Sequence, residues 1–240
     1  MKRPIQSLRE EVIGLIAAGE VVERPAQVVK ELIENSLDAE SQRIEVKISN
    51  GGFTEIIVSD DGSGIDEDDL ELAFKRHATS KVIEITDLEN ILTMGFRGEA
   101  LASVGAVSSL TISSRTNKTD GRKLSMVHGR LGAIEPIGMA EGTRIKVQDL
   151  FKNVPARLAF QARPTTETAR IVDVVTSLAI GHPSVGFRLI SDERILLDAP
   201  RTNRTEERLY DLLGAISEQL IPLIHPEDEG EVPGKERWSG

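Results

Sequence analysis

The chain has 240 residues, 39% hydrophobic and 28% charged, a balance that excludes a disordered chain, a collagen and a coiled-coil rod. It has no cysteine, so no disulfide framework or thiolate metal site can form, and apolar runs such as Ile56-Ile57-Val58 fall far short of the ~20 residues of a membrane span. The net charge is −10 but uneven: Asp192 to Gly240 holds 12 acidic and 6 basic residues, Arg115 to Arg163 holds 10 basic and 4 acidic. The basic stretch is either a solvated face or a phosphate-facing surface. Met1-Lys2-Arg3-Pro4 has no apolar stretch behind it, so no secretory signal is read and cytoplasm is the expected compartment.

Pro25 opens a periodic run, and proline suits a first helical turn, so the spacing predicts a helix over Pro25–Ala39. Arg43–Ile48 and Thr54–Ser59 read as strands joined by Asn50-Gly51-Gly52, a hairpin with suitable turn chemistry. Asp60 to Gly64 forms a loop, Asp66–Phe74 reads as helical, Arg76–Lys81 as irregular and Asp87–Thr93 as a short helix. Gly95 to Leu101 is a loop running into a helix. Strands follow near Val107–Ser114, Lys123–His128, Ala133–Pro136 and Gly142–Val147, before Asn153-Val154-Pro155 breaks the pattern. A helix over Thr166–Ile180, strands at Val185–Ile190 and Arg194–Leu197, and a last helix over Thr205–Ile221 complete the reading. Helices and antiparallel hairpins without a strict βαβ rhythm point to α+β: one helical layer on a largely antiparallel sheet.

Common signatures fail. Gly14 and Gly19 have the glycine spacing of a Walker A loop, but Glu20 stands where it needs lysine. There is no G-x-G-x-x-G, H-E-x-x-H or G-x-S-x-G. What remains is softer. On a helix, Gln27, Glu31, Glu34, Asn35 and Asp38 fall within about 100° of one another, with Val28, Val29, Leu32, Ile33 and Leu37 on the other side. This is either a solvated acidic face or a site, and Asn35 is a poor choice for a helix interior. Glu31 and Asn35, spaced i, i+4, are oxygen donors suited to Mg²⁺, and a carboxylate touching a metal-bound water could take its proton. Asp60 at a strand end can accept from an exocyclic amine, with Gly62 and Gly64 letting a flat ring approach; an ordinary turn reads equally well. Gly95-Phe96-Arg97-Gly98 before a helix start is either an anion site or a glycine-capped joint. Glu141-Gly142-Thr143 entering a strand is a weaker signal.

In this order, Glu31-x-x-x-Asn35, Asp60-x-Gly62-x-Gly64, Gly95–Leu101 and Gly142-Thr143 resemble the four ATP-site motifs of the GHKL superfamily. Ile16-Ala17-Ala18-Gly19-Glu20-Val21-Val22-Glu23-Arg24-Pro25, Arg76-His77-Ala78-Thr79-Ser80-Lys81, Gly95-Phe96-Arg97-Gly98-Glu99-Ala100-Leu101 and Asn153-Val154-Pro155-Ala156-Arg157 narrow the resemblance to the MutL family of DNA mismatch repair proteins, over about residues 5 to 220. The mismatch-type stretches argue against a topoisomerase ATPase subunit or a kinase, and the intact Glu31 and Asn35 against a module that has lost its chemistry.

The resemblance implies an α+β GHKL (Bergerat) two-layer sandwich over residues 1–200, with a mixed, mostly antiparallel sheet. It also implies that residues 201–240 begin a truncated ribosomal-S5-like second domain. It implies ATP and Mg²⁺ as ligands. Glu31 would be the general base and Asn35 would hold the metal. Asp60 would bind the adenine amine, with Gly64 and Thr143 beside the base, and Ala39 would be a further nucleotide-binding residue. Thr79 and Lys81 would belong to a lid, and Gly95, Phe96, Arg97, Gly98, Glu99, Ala100 and Leu101 would wrap the phosphates. The family's γ-phosphate lysine would lie beyond Gly240, so binding with little turnover is expected. Implied partners are DNA held through its phosphates without sequence readout, a MutS-type mismatch recognition protein, a downstream repair nuclease or helicase, and a second copy on ATP binding.

Overall fold

A computed structural model describes residues 22–75 and 100–214. Helix α1 spans Pro25–Asp38, with Pro25 in its first turn as the sequence requires. Val28, Val29, Leu32 and Ile33 form its buried stripe. Ala39 and Glu40 close it through N–H bonds to the Asn35 and Leu37 carbonyls, and Glu40 at φ 59° turns the chain into the sheet.

The strands are β1 (Arg43–Ser49), β2 (Glu55–Asp60), β3 (Ser109–Arg115), β4 (Arg122–Val127), β5 (Arg130–Leu131), β6 (Glu135–Pro136), β7 (Gly142–Gln148), β8 (Gly186–Ser191) and β9 (Arg194–Ala199). They form one sheet in the order β5-β4-β3-β7-β2-β1-β8-β9, with β6 beside β4. Every pairing is antiparallel except β1 with β8. A parallel pair needs a long crossover, and helix α5 (Pro164–Gly181) lies in it. Helices α2 (Glu67–Leu70), α3 (Ala100–Ala106), α4 (Pro155–Ala159) and α6 (Thr205–Leu213) are shorter. Helices α1 and α5 pack on each other, α1 against β2 and α5 against β8. Helix α3 covers β3 and β4.

Register explains where the core stops. One cross-strand row runs Leu197, Leu189, Val46, Val58, Ile145, Ile112, Leu124, and the next runs Ile48, Ile56, Val147, Leu110, Met126. All of these side chains are buried under the helices. The adjoining row reads Ile44, Asp60, Thr143, Ser114 and so turns polar in mid-sheet. The other sheet face carries Glu45, Lys47, Arg144 and Lys146, which is the alternation of a half-solvated antiparallel sheet.

Several boundaries differ from the sequence reading. Asp66–Phe74 splits into α2 and a 3₁₀ turn over Leu72–Phe74. Its acidic run favours a first turn through the helix dipole, and only Leu70 and Phe74 are buried anchors beyond it. Pro155 does not merely break a pattern: it starts α4. The expected strand Ala133–Pro136 shrinks to Glu135–Pro136, and β5 has too few residues to show any alternation. Glu34 does not join a solvated face. It is buried and ion-paired to Lys30 at 3.0 Å. The expected helix Asp87–Thr93, the stretch Arg76–Lys81 and the end of the last expected helix, past Gly214, lie outside the described residues.

Candidate functional site

The site grows from the polar row. Asp60 ends β2 beneath the C-terminal half of α1. Its Oδ2 accepts from the Ser36 hydroxyl at 2.8 Å, and its Oδ1 accepts from the N–H groups of Gly62 at 3.0 Å and Thr143 at 3.2 Å. Burial raises its carboxyl above the ordinary 3.8, and the hydrogen bonds from Ser36, Gly62 and Thr143 oppose that shift without cancelling it. Such a buried acceptor at a strand end is the environment in which functional carboxylates are found. Asp61 works outward instead: its Oδ1 accepts from the N–H groups of Gln42 and Arg43, both at 2.8 Å, and so holds the start of β1.

The glycines have specific causes. A Cβ on Gly62 would stand 2.7 Å from the Ala39 carbonyl oxygen and 2.6 Å from Ser41 Oγ. Ala39 also accepts from the Ser63 N–H at 3.0 Å, which ties the end of α1 to this loop. Gly64 sits at φ 75°, and a side chain there would meet the Arg115 carbonyl oxygen at 2.2 Å. The loop is therefore pressed flat between α1 and the end of β3.

Ser36 links this carboxylate to the helix face read from the sequence. Its neighbour Asn35 and Glu31, one turn back, are both partly buried, neither core nor open surface. Asp38 is partly buried as well. Ala100 and Leu101 open α3, which packs against α1. The structure thus bonds Asp60 to Thr143 and Gly62, ties Ala39 to the same loop at Ser63, next to Gly64, and sets Glu31 and Asn35 on the adjoining helix. Thr79, Lys81, Gly95, Phe96, Arg97, Gly98 and Glu99 lie outside the described residues. Sequence reasoning missed Ser36 and Ser114. Neither falls in a recognisable motif, and only the β2–β7–β3 register puts Ser114 next to Thr143.

Elsewhere, a hollow of about 420 Å³ lies past the end of α1, lined by Asp38, Gln42, His182 and Arg201 among others, and excludes Glu31 and Asp60. Much of the basic stretch is already paired: Arg122 with Glu67 at 2.8 Å, Lys123 with Glu135 and Lys146 with Glu55 at 3.0 Å, Lys152 with Asp149 at 3.1 Å. Among the described residues no helix is long and apolar enough to cross a membrane.

Comparison with known proteins is consistent with this geometry. Residues 23–135 match the family described as histidine kinase-, DNA gyrase B- and HSP90-like ATPase. The DNA mismatch repair protein MutL of Halothermothrix orenii is 46% identical over 225 residues, covering 93% of this chain and 35% of that protein. Its namesake from Lactobacillus delbrueckii subsp. bulgaricus is 43% identical over 224 residues, covering 93% and 34%. The chain therefore spans about a third of the length of these relatives. Among solved structures, the Aquifex aeolicus MutL ATPase domain complexed with ADP superposes with a TM-score of 0.65 at 30% identity, covering 80% of this chain and 69% of that one. The N-terminal domain of a DNA repair protein gives a TM-score of 0.70 at 27% identity, over 85% and 61%.

Proposed function

Because the chain belongs to the MutL family of DNA mismatch repair proteins and has the GHKL ATPase fold, we propose that it binds ATP with Mg²⁺ and hydrolyses it slowly, as a nucleotide-driven switch. The observation that carries this reading is the bonded cluster of Asp60, Thr143 and the Gly62 loop against the helix bearing Glu31 and Asn35. The relative bound to ADP supports it.

Each residue has a stated task. Asp60 accepts the adenine amine, while Ala39, Gly64 and Thr143 enclose the ring. Asn35 and Glu31 offer hard oxygen donors one turn apart on α1. Few protein oxygen ligands suffice for Mg²⁺, which keeps several waters and takes phosphate oxygens as partners. When bound, the ion would neutralise phosphate charge. Glu31 orients the attacking water and takes its proton, which its partly buried position permits. Thr79 and Lys81 are assigned to a lid, and Gly95 to Leu101 to the phosphates through backbone N–H groups.

The switch follows from phosphate contacts that order the lid and favour pairing of two N-terminal regions. That state would couple a MutS-type mismatch recognition protein to a downstream nuclease or helicase. DNA would be held through phosphates, without sequence readout. We assign residues 1–200 to the ATPase domain, residues 201–240 to the start of the second domain, its first helix α6 docking on the ATPase domain through Arg208, and the protein to the cytoplasm. Titration with a fluorescent ATP analogue, with and without Mg²⁺, tests the reading. Mg²⁺-dependent saturable binding is expected, and absence of binding would favour a purely interacting module. In a longer protein that turns over ATP, Glu31→Ala should keep nucleotide affinity and lose hydrolysis; undiminished turnover would remove Glu31 from its role.

A further inference from the structure

The stretch Asn153-Val154-Pro155-Ala156-Arg157 has no task in the reading above. The structure runs it between the two helices α3 and α1. At one end, the Phe151 N–H donates to the Val107 carbonyl and Asn153 Nδ2 donates to the Ala106 carbonyl, both at 2.8 Å. These bonds close the C-terminal end of α3, whose last carbonyls have no partner within the helix. Phe151 is fully buried at φ 64°, and Asn153 Oδ1 is buried with no hydrogen-bond partner among the described residues. A half-satisfied amide costs stability where an apolar side chain would not, so the use of Asn153 lies in where it holds α3. At the other end, Pro155 starts α4. Arg157 Nη1 donates to the Val22 carbonyl at 3.3 Å, and Gln161 Nε2 donates to the Glu23 carbonyl at 3.0 Å. The Arg157 guanidinium lies 5.7 Å from the centre of the Phe151 ring, so both ends share one support. Helix α1 needs it, because its N-cap residue Arg24 makes no side-chain bond to the first turn.

We infer that residues 151–161 form a strut that sets the Glu31 end of α1 against α3, with Arg157 and Gln161 as positioning residues for hydrolysis. The inference rests on the ATPase reading above and deepens it. The two ends of α1 are held by different parts of the fold. Its C-terminal half is tied to the polar row, through Ser36 on Asp60 and the Ala39 carbonyl on the Ser63 N–H. Its start is held by the strut. At 1.5 Å per residue Glu31 lies about 9 Å along the axis from Pro25, so releasing the start shifts Glu31 while the Asp60 end stays in place. Reaction rates respond steeply to such shifts: a misplacement of about 1 Å can cost about a hundredfold. Binding at the Asp60 end does not pass through the strut.

The test measures ATP affinity and the single-turnover cleavage rate of bound ATP, both on the whole chain. Arg157→Met and Gln161→Ala should each slow cleavage by about tenfold and change affinity by less than about twofold. Arg157→Lys, which keeps a donor for the Val22 carbonyl, should slow cleavage less. Affinity and cleavage lost in step, the mark of a merely structural role, would overturn the proposal, and so would unchanged cleavage. Should Arg157→Met fail to fold, Gln161→Ala decides, since that hydrogen bond lies at an exposed position. Amide hydrogen exchange without nucleotide reads the strut directly. Gln161→Ala should speed exchange from Val28 to Glu31 and leave Ser36 to Ala39 as in the wild type; unchanged exchange at the start of α1 overturns the strut. A wild type that fails to bind or cleave ATP would sink the functional reading instead, and exchange would still show whether the strut holds α1.

Discussion

Asp60 sets burial against charge. Its carboxyl is raised by desolvation, so the folded chain holds that proton more tightly than the unfolded chain does. The sign follows: its contribution to stability declines as pH rises from its unfolded value through the raised one, then levels off. Asp60→Asn removes this decline. The fold should accept the amide. Ser36 already has a second acceptor in the Leu32 carbonyl at 3.2 Å, so its hydroxyl can donate there and accept from the new amide nitrogen. We therefore expect Asp60→Asn to melt no lower than wild type without nucleotide. As pH rises from about 4 through the raised value of the Asp60 carboxyl, the variant's advantage should grow. Its affinity for ATP should drop by about tenfold or more, since a donor replaces an acceptor. Calorimetric titration and thermal melts check both; unchanged ATP affinity would remove the adenine assignment. At this scale the sequence was partly legible. Asp60, Gly62 and Gly64 announce a loop at a strand end. Glu34 misled, because helical angle alone places it with Glu31, whereas the salt bridge to Lys30 lets it sit buried.

Elements meet at points of close approach. Gly142 begins β7 at φ 119°, and a Cβ there would stand 2.1 Å from the Asp60 carbonyl oxygen. Gly142→Ala should cost about 2 kcal/mol or more in urea unfolding, from backbone strain and a parted β2–β7 pair. A neutral result would show that the β2–β7 approach is looser than drawn. At the other end of the sheet, Arg208 is wholly buried on α6, and among the described residues no carboxylate forms a salt bridge with it. Its guanidinium donates to the carbonyls of Ala179, Pro183, Val185 and Pro200 at 2.8–3.0 Å and lies 6.0 Å from the Phe187 ring centre. Burial lowers its pKa, opposed by Asp211. This one side chain ties α6 to the ends of α5, β8 and β9. Arg208→Met would withdraw its donors from four carbonyls, of which that of Pro183 keeps another donor, the Thr202 N–H at 2.8 Å, and we expect a loss of about 3 kcal/mol or more. A change below about 1 kcal/mol would mean that water replaces those donors. No sequence signal marks Arg208, because α6 reads as an ordinary charged helix. Long elements were legible through periodicity and Pro25. Short pieces such as β5 and α4 were not, since two to five residues cannot show a period.

At the scale of the molecule, the α+β layering was readable from hairpins mixed with amphipathic helices. The parallel β1–β8 contact was not, because it joins residues about 140 positions apart through a crossover that no local pattern encodes. The polar row is of the same kind: Asp60, Ser114 and Thr143 are far apart in sequence and adjacent only by register. The basic stretch also changes its meaning. Several of its cations are held by Glu67, Glu135, Glu55 and Asp149. Surface pairs are worth about 0–1 kcal/mol, so phosphates can displace the acids, and any DNA binding should weaken steeply with salt. Salt-insensitive DNA affinity would contradict a phosphate-held groove.

The central claim is that one sheet row and one helix form a single nucleotide site. A crystal structure of the chain with ADP and Mg²⁺ tests it most directly. The account predicts the base against Asp60 and Thr143, with the phosphates running along α1 past Asn35. ADP seated instead in the hollow between Asp38, Gln42, His182 and Arg201, with the Asp60 row untouched, would contradict it.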